Sequence, residues 1–337
     1  MAVQVSSYSL GQMTDLVERS FTDGLKTLPM VMKNSGVVIT EAMPMNSGDS
    51  KRFAERVTTD QYASVRDEGA VADAGAVQYG YEVDAQVYTI AKTVSITKRM
   101  RVAGKDRAIL DEITNLSEVC PNTQELDLSH RLTFAWSTSY TYKGTTRSLL
   151  TGDSKALIAT DHALTGSATT YSNQVTGNPA FSKGALETAE KSFVEGSFDN
   201  LGVKIDVKPS VLITTDDPNT VNEVRQLLNA TADVNSSNSG TTNVYKSKYK
   251  HVANARIATT SDGGVDSTKA KYWFLASERA SDFYLCELEV PYVKAPKDGN
   301  NGEDFASENW NYLAAATYLI AIVTGRWIRG SKGDGSV

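Results

Sequence analysis

The chain has 337 residues, 40% of them hydrophobic and 22% charged, with a formal net charge of -6. That is enough apolar material for two or three packed domains, and the mild acidity argues against nucleic-acid binding as the main task, which calls for a basic stripe. The longest apolar run, 313–323, is about half the ~20 residues that a membrane-spanning helix needs.

The opening residues, MAVQVSSYSL, have neither a basic start nor a long apolar run, so no signal peptide is expected. Residues 1–48 read as an arm. Leu10, Met13, Leu16, Val17 and Phe21 have the spacing of a short amphipathic helix, and Pro29, Gly36 and Pro44 then break the chain into extended pieces. A helix packed on the chain's own core is the alternative.

Residues 49–98 read as one long, twisted β-hairpin. In its second limb, Val83, Ala85, Val87, Thr89, Ala91 and Thr93 share one face. Glu82, Asp84, Gln86, Tyr88 and Lys92 share the other, until Val94 and Ile96 make that face apolar too. The first limb alternates around Phe53, Glu55 and Val57, with Arg52, Arg56 and Arg66 at exposed positions. Between them, DEGAVADAGAVQ (67–78) is a small-residue tip that includes Asp67 and Glu68. A two-stranded ribbon is marginal in water by itself, so a neighbouring subunit is expected to cover it.

A helical pattern follows over 105–142. Ile109, Ile113 and Leu116, then Leu128, Leu132 and Ala135, mark its apolar face. Asp106 is the expected N-cap, with Asp111 and Glu112 near the positive end. Pro121 removes a backbone donor and is expected to kink or divide the helix. His130 has no His or Cys partner four residues on, so it reads as an exposed helical histidine rather than a metal ligand. Cys120 and Cys286 lie in apolar surroundings and read as buried, reduced thiols.

Gly152-Asp153-Ser154-Lys155-Ala156 mimics a nucleophile elbow, with Ala in place of the last Gly. An elbow needs a strand before the serine and a helix after it. Here the preceding residues are short and polar, and ALIAT (156–160) favours a strand. Asp161 and His162 are adjacent and would point apart in a strand, so they could not both serve Ser154. A serine hydrolase on Ser154, His162 and Asp161 is the remote reading, and a turn leading into a strand is the expected one. Residues 165–180 read as a loop.

Ser182 then caps a helix with Ala185, Leu186, Ala189 and Phe193 on one face, stopped by Gly196. PSVLITT (209–215) is a short buried strand. Asp217 and Pro218 supply an N-cap and a first-turn proline for a helix carrying Val221, Val224, Leu227 and Leu228. Together they make a compact α/β unit over 181–230. Residues 231–244 are a polar loop. YKSKYK (245–250) alternates lysines like a charged edge strand, with phosphate binding as the alternative role for Lys246, Lys248 and Lys250. Strands are expected at about 251–258, 271–277 and 283–290. PKDGNNGED (296–304) reads as a loop, because Glu303 stands where an EF-hand needs glycine. The segment 309–330 reads as a long central strand that bends at Gly325.

This order of elements, with its local sequences, resembles the tailed-bacteriophage major capsid proteins of the HK97-like shell fold. Four stretches carry the likeness: VSITKRMRVAGKD followed by AILDEITNL; RSLLTGDSKALIATDHA; SKGALETAEKSFVEG with PSVLITTDDPNTVNEVRQLL; and the closing GRWIRGSKG. It spans roughly 49–332 and is most similar to the Mu-like head proteins. The implied fold class is α+β: an N-terminal arm (1–48), an extended hairpin or E-loop (49–98), and a peripheral domain with a spine helix (99–180 and 303–332). An axial domain (181–282) and a connection (283–302) complete it.

The resemblance also implies a role: self-assembly into an icosahedral shell of pentamers and hexamers that encloses phage DNA. The subunit would sit in the virion after assembly in the host cytoplasm. Arg52, Glu55, Arg56, Arg66, Asp67 and Glu68 are the expected subunit contacts. Implied partners are a separate scaffolding protein, since the arm is too short to hold one, a portal, a cement protein, and packaged DNA held by weak nonspecific contact. No cofactor, metal, membrane or enzymatic activity is expected. Some relatives cross-link lysine to asparagine, and Lys51 is the only lysine between 49 and 91. A host-encoded nanocompartment shell of the encapsulin kind shares the fold and is the alternative function.

Overall fold

A computed structural model describes residues 10–44, 48–57, 62–72, 78–103, 105–233, 240, 242–295 and 309–336. In chain order the elements are α1 (Leu10–Thr27), β1 (Val38–Ala42), β2 (Ser50–Val57), β3 (Gln78–Gln86), β4 (Tyr88–Ile96), α2 (Lys98–Val102), α3 (Asp106–Thr133), β5 (Ser139–Tyr142), β6 (Thr145–Ser148), β7 (His162–Leu164) and β8 (Ser167–Tyr171). They continue with α4 (Lys183–Gly196), β9 (Val211–Thr214), α5 (Pro218–Asn229), β10 (Lys250–Ala253), β11 (Trp273–Ala276), β12 (Phe283–Lys294), β13 (Trp310–Ile322) and β14 (Ile328–Ser331).

Two four-stranded sheets carry the architecture, in the orders β1-β12-β13-β4 and β10-β9-β11-β14. Only the β1–β12 and β10–β9 pairs in them are parallel. The first sheet buries Tyr312, Ala314 and Ala316 under α3 (Ile109, Ile113, Leu116), with Val17 and Phe21 of α1 in the same cluster. The second packs Leu212, Trp273 and Leu275 against Leu186 and Phe193 of α4 and Val224 and Leu228 of α5. A third cluster joins the two sheets, with Leu128 and Leu132 of α3 among Ile213, Phe274, Phe283, Tyr318 and Trp327.

The α/β unit follows its sequence signals. Ser182 accepts from the Ala185 amide, Asp217 accepts from the Thr220 amide, and Pro218 opens α5. The four apolar positions expected on α4 are all buried, as are those on α5. In the first part of the chain, α1 lies on α3 and β1 runs parallel to β12, so the helix on the chain's own core is the arrangement adopted. Glu125 fastens this segment by accepting the amides of Met32 and Lys33.

Several expectations are corrected. The long helix runs unbroken through Pro121 and stops at Thr133, and 139–142 form β5 instead. Leu116, Cys120, Leu128 and Leu132 are buried on both sides of the proline, so packing holds the halves together. Lys105, not Asp106, occupies the N-cap position and makes no side-chain cap bond. His130 is fully buried, and burial pushes its pKa down to about 4. The ALIAT stretch forms no strand: Leu157 and Ile158 are buried, and the Ile158 amide donates to the Ala135 carbonyl at 2.8 Å. The expected loop at 165–180 contains β8.

YKSKYK is mostly a turn, because Tyr245 and Tyr249 are buried with their hydroxyls toward Glu190; only Lys250 enters an edge strand. The amide of Asn243 caps the end of α5, donating to the Leu227 and Ala230 carbonyls at 2.6 and 3.0 Å. Half of the polar loop (234–239 and 241) and the whole of 296–304 lie outside the described residues. The closing segment is not one bent strand: β13 belongs to the first sheet and β14 to the second. The crossing between them is tight. A Cβ on Gly325 would come 2.8 Å from the Leu157 carbonyl oxygen and 2.6 Å from the Asn173 amide nitrogen.

One polar cluster crosses the core. Asp127 of α3 accepts from the Arg147 guanidinium and from the Tyr318 and Tyr140 hydroxyls. Arg147 lies over the rings of Tyr88 and Tyr142, 4.7 and 5.1 Å from their centroids. Helix, small hairpin and strands β13 and β4 of the first sheet are thereby tied at one point.

Candidate functional site

The hairpin is shorter than the alternation implied. β2 pairs with β3 only, while β4 pairs with β13 in the large sheet. The break falls at Val87, and it exchanges the faces. In β3 the odd positions Val83 and Ala85 turn inward and Glu82 and Asp84 outward. In β4, Thr89, Ala91 and Thr93 are exposed while Tyr88, Ile90, Val94 and Ile96 are covered. A skipped residue reverses which parity meets the core, which explains why both faces turn apolar along one run.

The base of the ribbon lies on its own chain. Phe53 stacks on Tyr284 with ring centroids 4.9 Å apart, and Phe53, Ala85 and Met43 pack on Cys286, Leu319, Ala321 and Val323. Arg326 pairs with Glu55 at 2.9 Å, and the Tyr81 amide and Thr165 hydroxyl both donate to that carboxylate at 3.4 Å. Burial pushes the Glu55 pKa up while Arg326 pulls it down. Asp282 lies near this pair, accepts from the Thr324 hydroxyl at 2.6 Å, and is likewise pushed up by burial. These groups line a cleft of about 570 Å³ between the hairpin, Ile205 and Val207.

The described part of the tip, 62–72, is exposed throughout, including Tyr62 at 72%, Val65 at 98% and Val71 at 94%. Gly69 adopts φ +83° in the turn that Asp67 and Ala70 close with a 3.1 Å backbone bond. Tyr62 borders a second cleft, about 620 Å³, with Glu190, Val194, Pro209 and Tyr249.

The six expected contact residues therefore divide. Arg66, Asp67 and Glu68 stand exposed on the tip, with Arg66 donating to the Ala70 carbonyl. Arg52 is exposed on the outer face of the ribbon and pairs with Asp84 at 2.8 Å and Glu82 at 3.2 Å. Glu55 is engaged inside its own chain. The side chain of Arg56 lies outside the described residues. Sequence reasoning missed Arg326 and Asp282; two charges beside the central apolar segment were the available signal.

The hydrolase-like residues do not converge. Ser154 is exposed, at φ +61°. Buried His162 directs Nδ1 to Asp153 at 2.7 Å and Nε2 toward the Leu157 carbonyl, while Asp161 pairs with Lys155. Asp153, not Asp161, is the histidine's partner, and neither ring nitrogen faces Ser154. Among the described residues, no group of three or more His, Cys, Asp or Glu side chains could hold a metal ion, and no helix is long and apolar enough to cross a membrane.

No protein-family model and no curated protein matches the sequence. Solved structures do. The capsid of cyanophage P-SCSP1u is similar over 87% of this chain and 85% of its own, at 10% identity and a TM-score of 0.50. The procapsid of bacteriophage JBD30 is similar over 96% of this chain and 74% of its own, at 10% identity and a TM-score of 0.48. A virus-like particle from Pyrococcus furiosus covers 94% of this chain and 98% of its own, at 10% identity and a TM-score of 0.49. The chain has the mixed α+β fold of a phage capsid protein.

Proposed function

We propose that this chain is a major capsid protein that assembles with copies of itself into an icosahedral shell of pentamers and hexamers around phage DNA. The observation that carries this is the phage-capsid likeness over 87% of the chain. The HK97-like division belongs to the same reading: an N-terminal segment 1–48 that packs on the subunit's own core, an E-loop within 49–98 whose paired ribbon ends at Gln86, peripheral domain 99–180 with 303–332, axial domain 181–282 and connection 283–302. So does a place among the Mu-like head proteins.

A tip whose described residues are all exposed suits a segment that a neighbouring subunit covers, with Arg66, Asp67 and Glu68 on it and Arg52 on the outer face of the ribbon to meet charges there; Arg56, outside the described side chains, belongs to the same proposed contact set. Such burial, repeated around closed symmetry, stabilises an assembly from individually modest contacts. A scaffolding protein, a portal and a cement protein complete the proposal, with assembly in the host cytoplasm and a final place in the virion. DNA is held weakly, because an acidic chain neutralises few phosphates. Ser154 has no catalytic part in it.

The test is size-exclusion chromatography with negative-stain microscopy, with and without a co-expressed scaffolding protein. Closed particles are expected. A strictly monomeric or dimeric protein under both conditions would refute the shell. Particles that recruit a protein cargo and exclude DNA would assign the chain to host nanocompartments instead.

A further inference from the structure

Three reactive groups from three strands meet where the ribbon lies on the large sheet. Lys51 of β2 donates to Glu41 of β1 at 2.8 Å and to the sulfur of Cys286 of β12 at 3.6 Å. The thiol lies 3.8 Å from the same Glu41 oxygen. The ring of Phe53 sits beside the ammonium, with its centroid 4.9 Å away. Lys51 and Glu41 are partly open to solvent, at 32% and 42%, while Cys286 is wholly buried beneath them. The other thiol, Cys120, lies in a different apolar cluster, and both cysteines are free.

We propose that Lys51 and Cys286 form a covalent nitrogen–sulfur bridge on exposure to a hydroperoxide, a redox strap that fastens the base of the hairpin to the large sheet. In the resting state the lysine is an ammonium paired with Glu41, and the thiol is protonated. Burial raises the thiol pKa and the Lys51 charge opposes that shift, so the sulfur reacts slowly and the strap forms under oxidant rather than spontaneously.

The first step is attack by the Cys286 sulfur on a peroxide oxygen. The O–O bond breaks, one water leaves, and a sulfenic acid remains. Glu41 then takes a proton from the Lys51 ammonium. The freed amine starts close to the ~3–3.5 Å of a near-attack arrangement. Its lone pair attacks the electrophilic sulfur, the N–S bond forms and the S–O bond breaks. The departing hydroxide takes the second amine proton and leaves as water. Thiol, ammonium, carboxylate and one hydrogen peroxide thus become a sulfenamide, a carboxylic acid and two waters. The sulfur is oxidised by two electrons and the peroxide reduced by two. Nitrogen capture of a sulfenic acid competes with further oxidation to the sulfinic acid, and the fixed lysine favours capture.

The experiment treats the full-length protein with hydrogen peroxide, counts thiols after denaturation, and maps peptides by mass spectrometry without reductant. The expected result is loss of one thiol of the two. A cross-linked peptide joining Lys51 to Cys286 should appear, two hydrogens lighter than its parts, and a dithiol reductant should remove it. Lys51→Arg keeps the ion pair and should yield Cys286 sulfinic acid with no cross-link. Wild-type Cys286 recovered as free thiol, or as sulfinic acid with Lys51 unmodified, overturns the proposal. The wild-type measurement decides the matter even if a variant folds poorly.

Discussion

The Arg326 guanidinium holds the Glu55 carboxylate at 2.9 Å, with the two side chains only 15% and 9% exposed. Glu55 belongs to the first strand of the ribbon, and Arg326 to the crossing from the first sheet to the second. One buried ion pair therefore fixes the hairpin against the joint of both sheets.

Removing one partner should expose the cost of that burial. Arg326→Ala leaves a partly buried carboxylate without its counter-charge, expected to destabilise the fold by ~1–3 kcal/mol. Glu55→Ala together with Arg326→Ala should cost less than the sum of the single changes, with a coupling of ~0.5–3 kcal/mol. Urea unfolding measures this, and amide exchange across 50–57 should quicken in the single variants. A single variant indistinguishable from wild type would remove the pair's anchoring role.

Asp282 should behave in the opposite sense. Its folded pKa is raised above the ordinary 3.8 by burial, so the folded chain holds that proton more tightly than the unfolded chain does. Its contribution to stability therefore falls as pH rises through the raised value. Asp282→Asn keeps an acceptor for Thr324 and removes the desolvated charge. It should stabilise the protein at neutral pH, with the advantage fading as pH falls through the raised value and gone below about 4, where the unfolded carboxyl is protonated too. A constant difference between the two proteins across that range would contradict the assignment.

Asp127→Ala should be severe, at ~3–5 kcal/mol, because it strands the Arg147 guanidinium and leaves two buried phenols without their acceptor. Pairing Asp127→Leu with Arg147→Met should recover much of the loss. Guanidinium unfolding midpoints of the two proteins make the comparison.

Gly325→Ala is expected to cost ~1–3 kcal/mol, since the added methyl would meet a backbone carbonyl that cannot rotate away. Gly184→Ala, in α4 where a Cβ meets nothing within 4 Å, serves as the neutral or mildly stabilising control in the same thermal melts.

Replacing 62–72 with a short Gly-Ser link should leave subunit stability within ~0.5 kcal/mol, because every side chain in that span is exposed. Particle yield should collapse if the tip is the intersubunit element proposed above. Normal closed shells from the shortened protein would show that it is not.

Local chemistry accounts for what was legible in the sequence. Ser182 and Asp217 cap their helices as read, and VLIT is buried on both faces, because caps and short apolar runs act over a few neighbouring residues. The apolar face of α3, and Val17 and Phe21 of α1, were legible for the same reason, since helical period alone selects them. His130 was misjudged because no local pattern shows that Phe134 and Tyr140 close over it. YKSKYK was misjudged because the lysines alternate while the two tyrosines decide the conformation by reaching Glu190.

By itself, then, the amino-acid order determined where α4 and α5 begin, that VLIT is a buried strand and that both thiols are buried, since each depends on spacing within a few turns of chain. Only the tertiary structure decided that the long alternating run divides at Val87 between ribbon and sheet, and that the closing segment divides at Gly325 between two sheets. It alone brought Glu55 to Arg326 and Lys51 to Cys286. Strand pairing and buried charge pairs join residues far apart in the chain, and their energies depend on which surfaces the whole fold removes from water together.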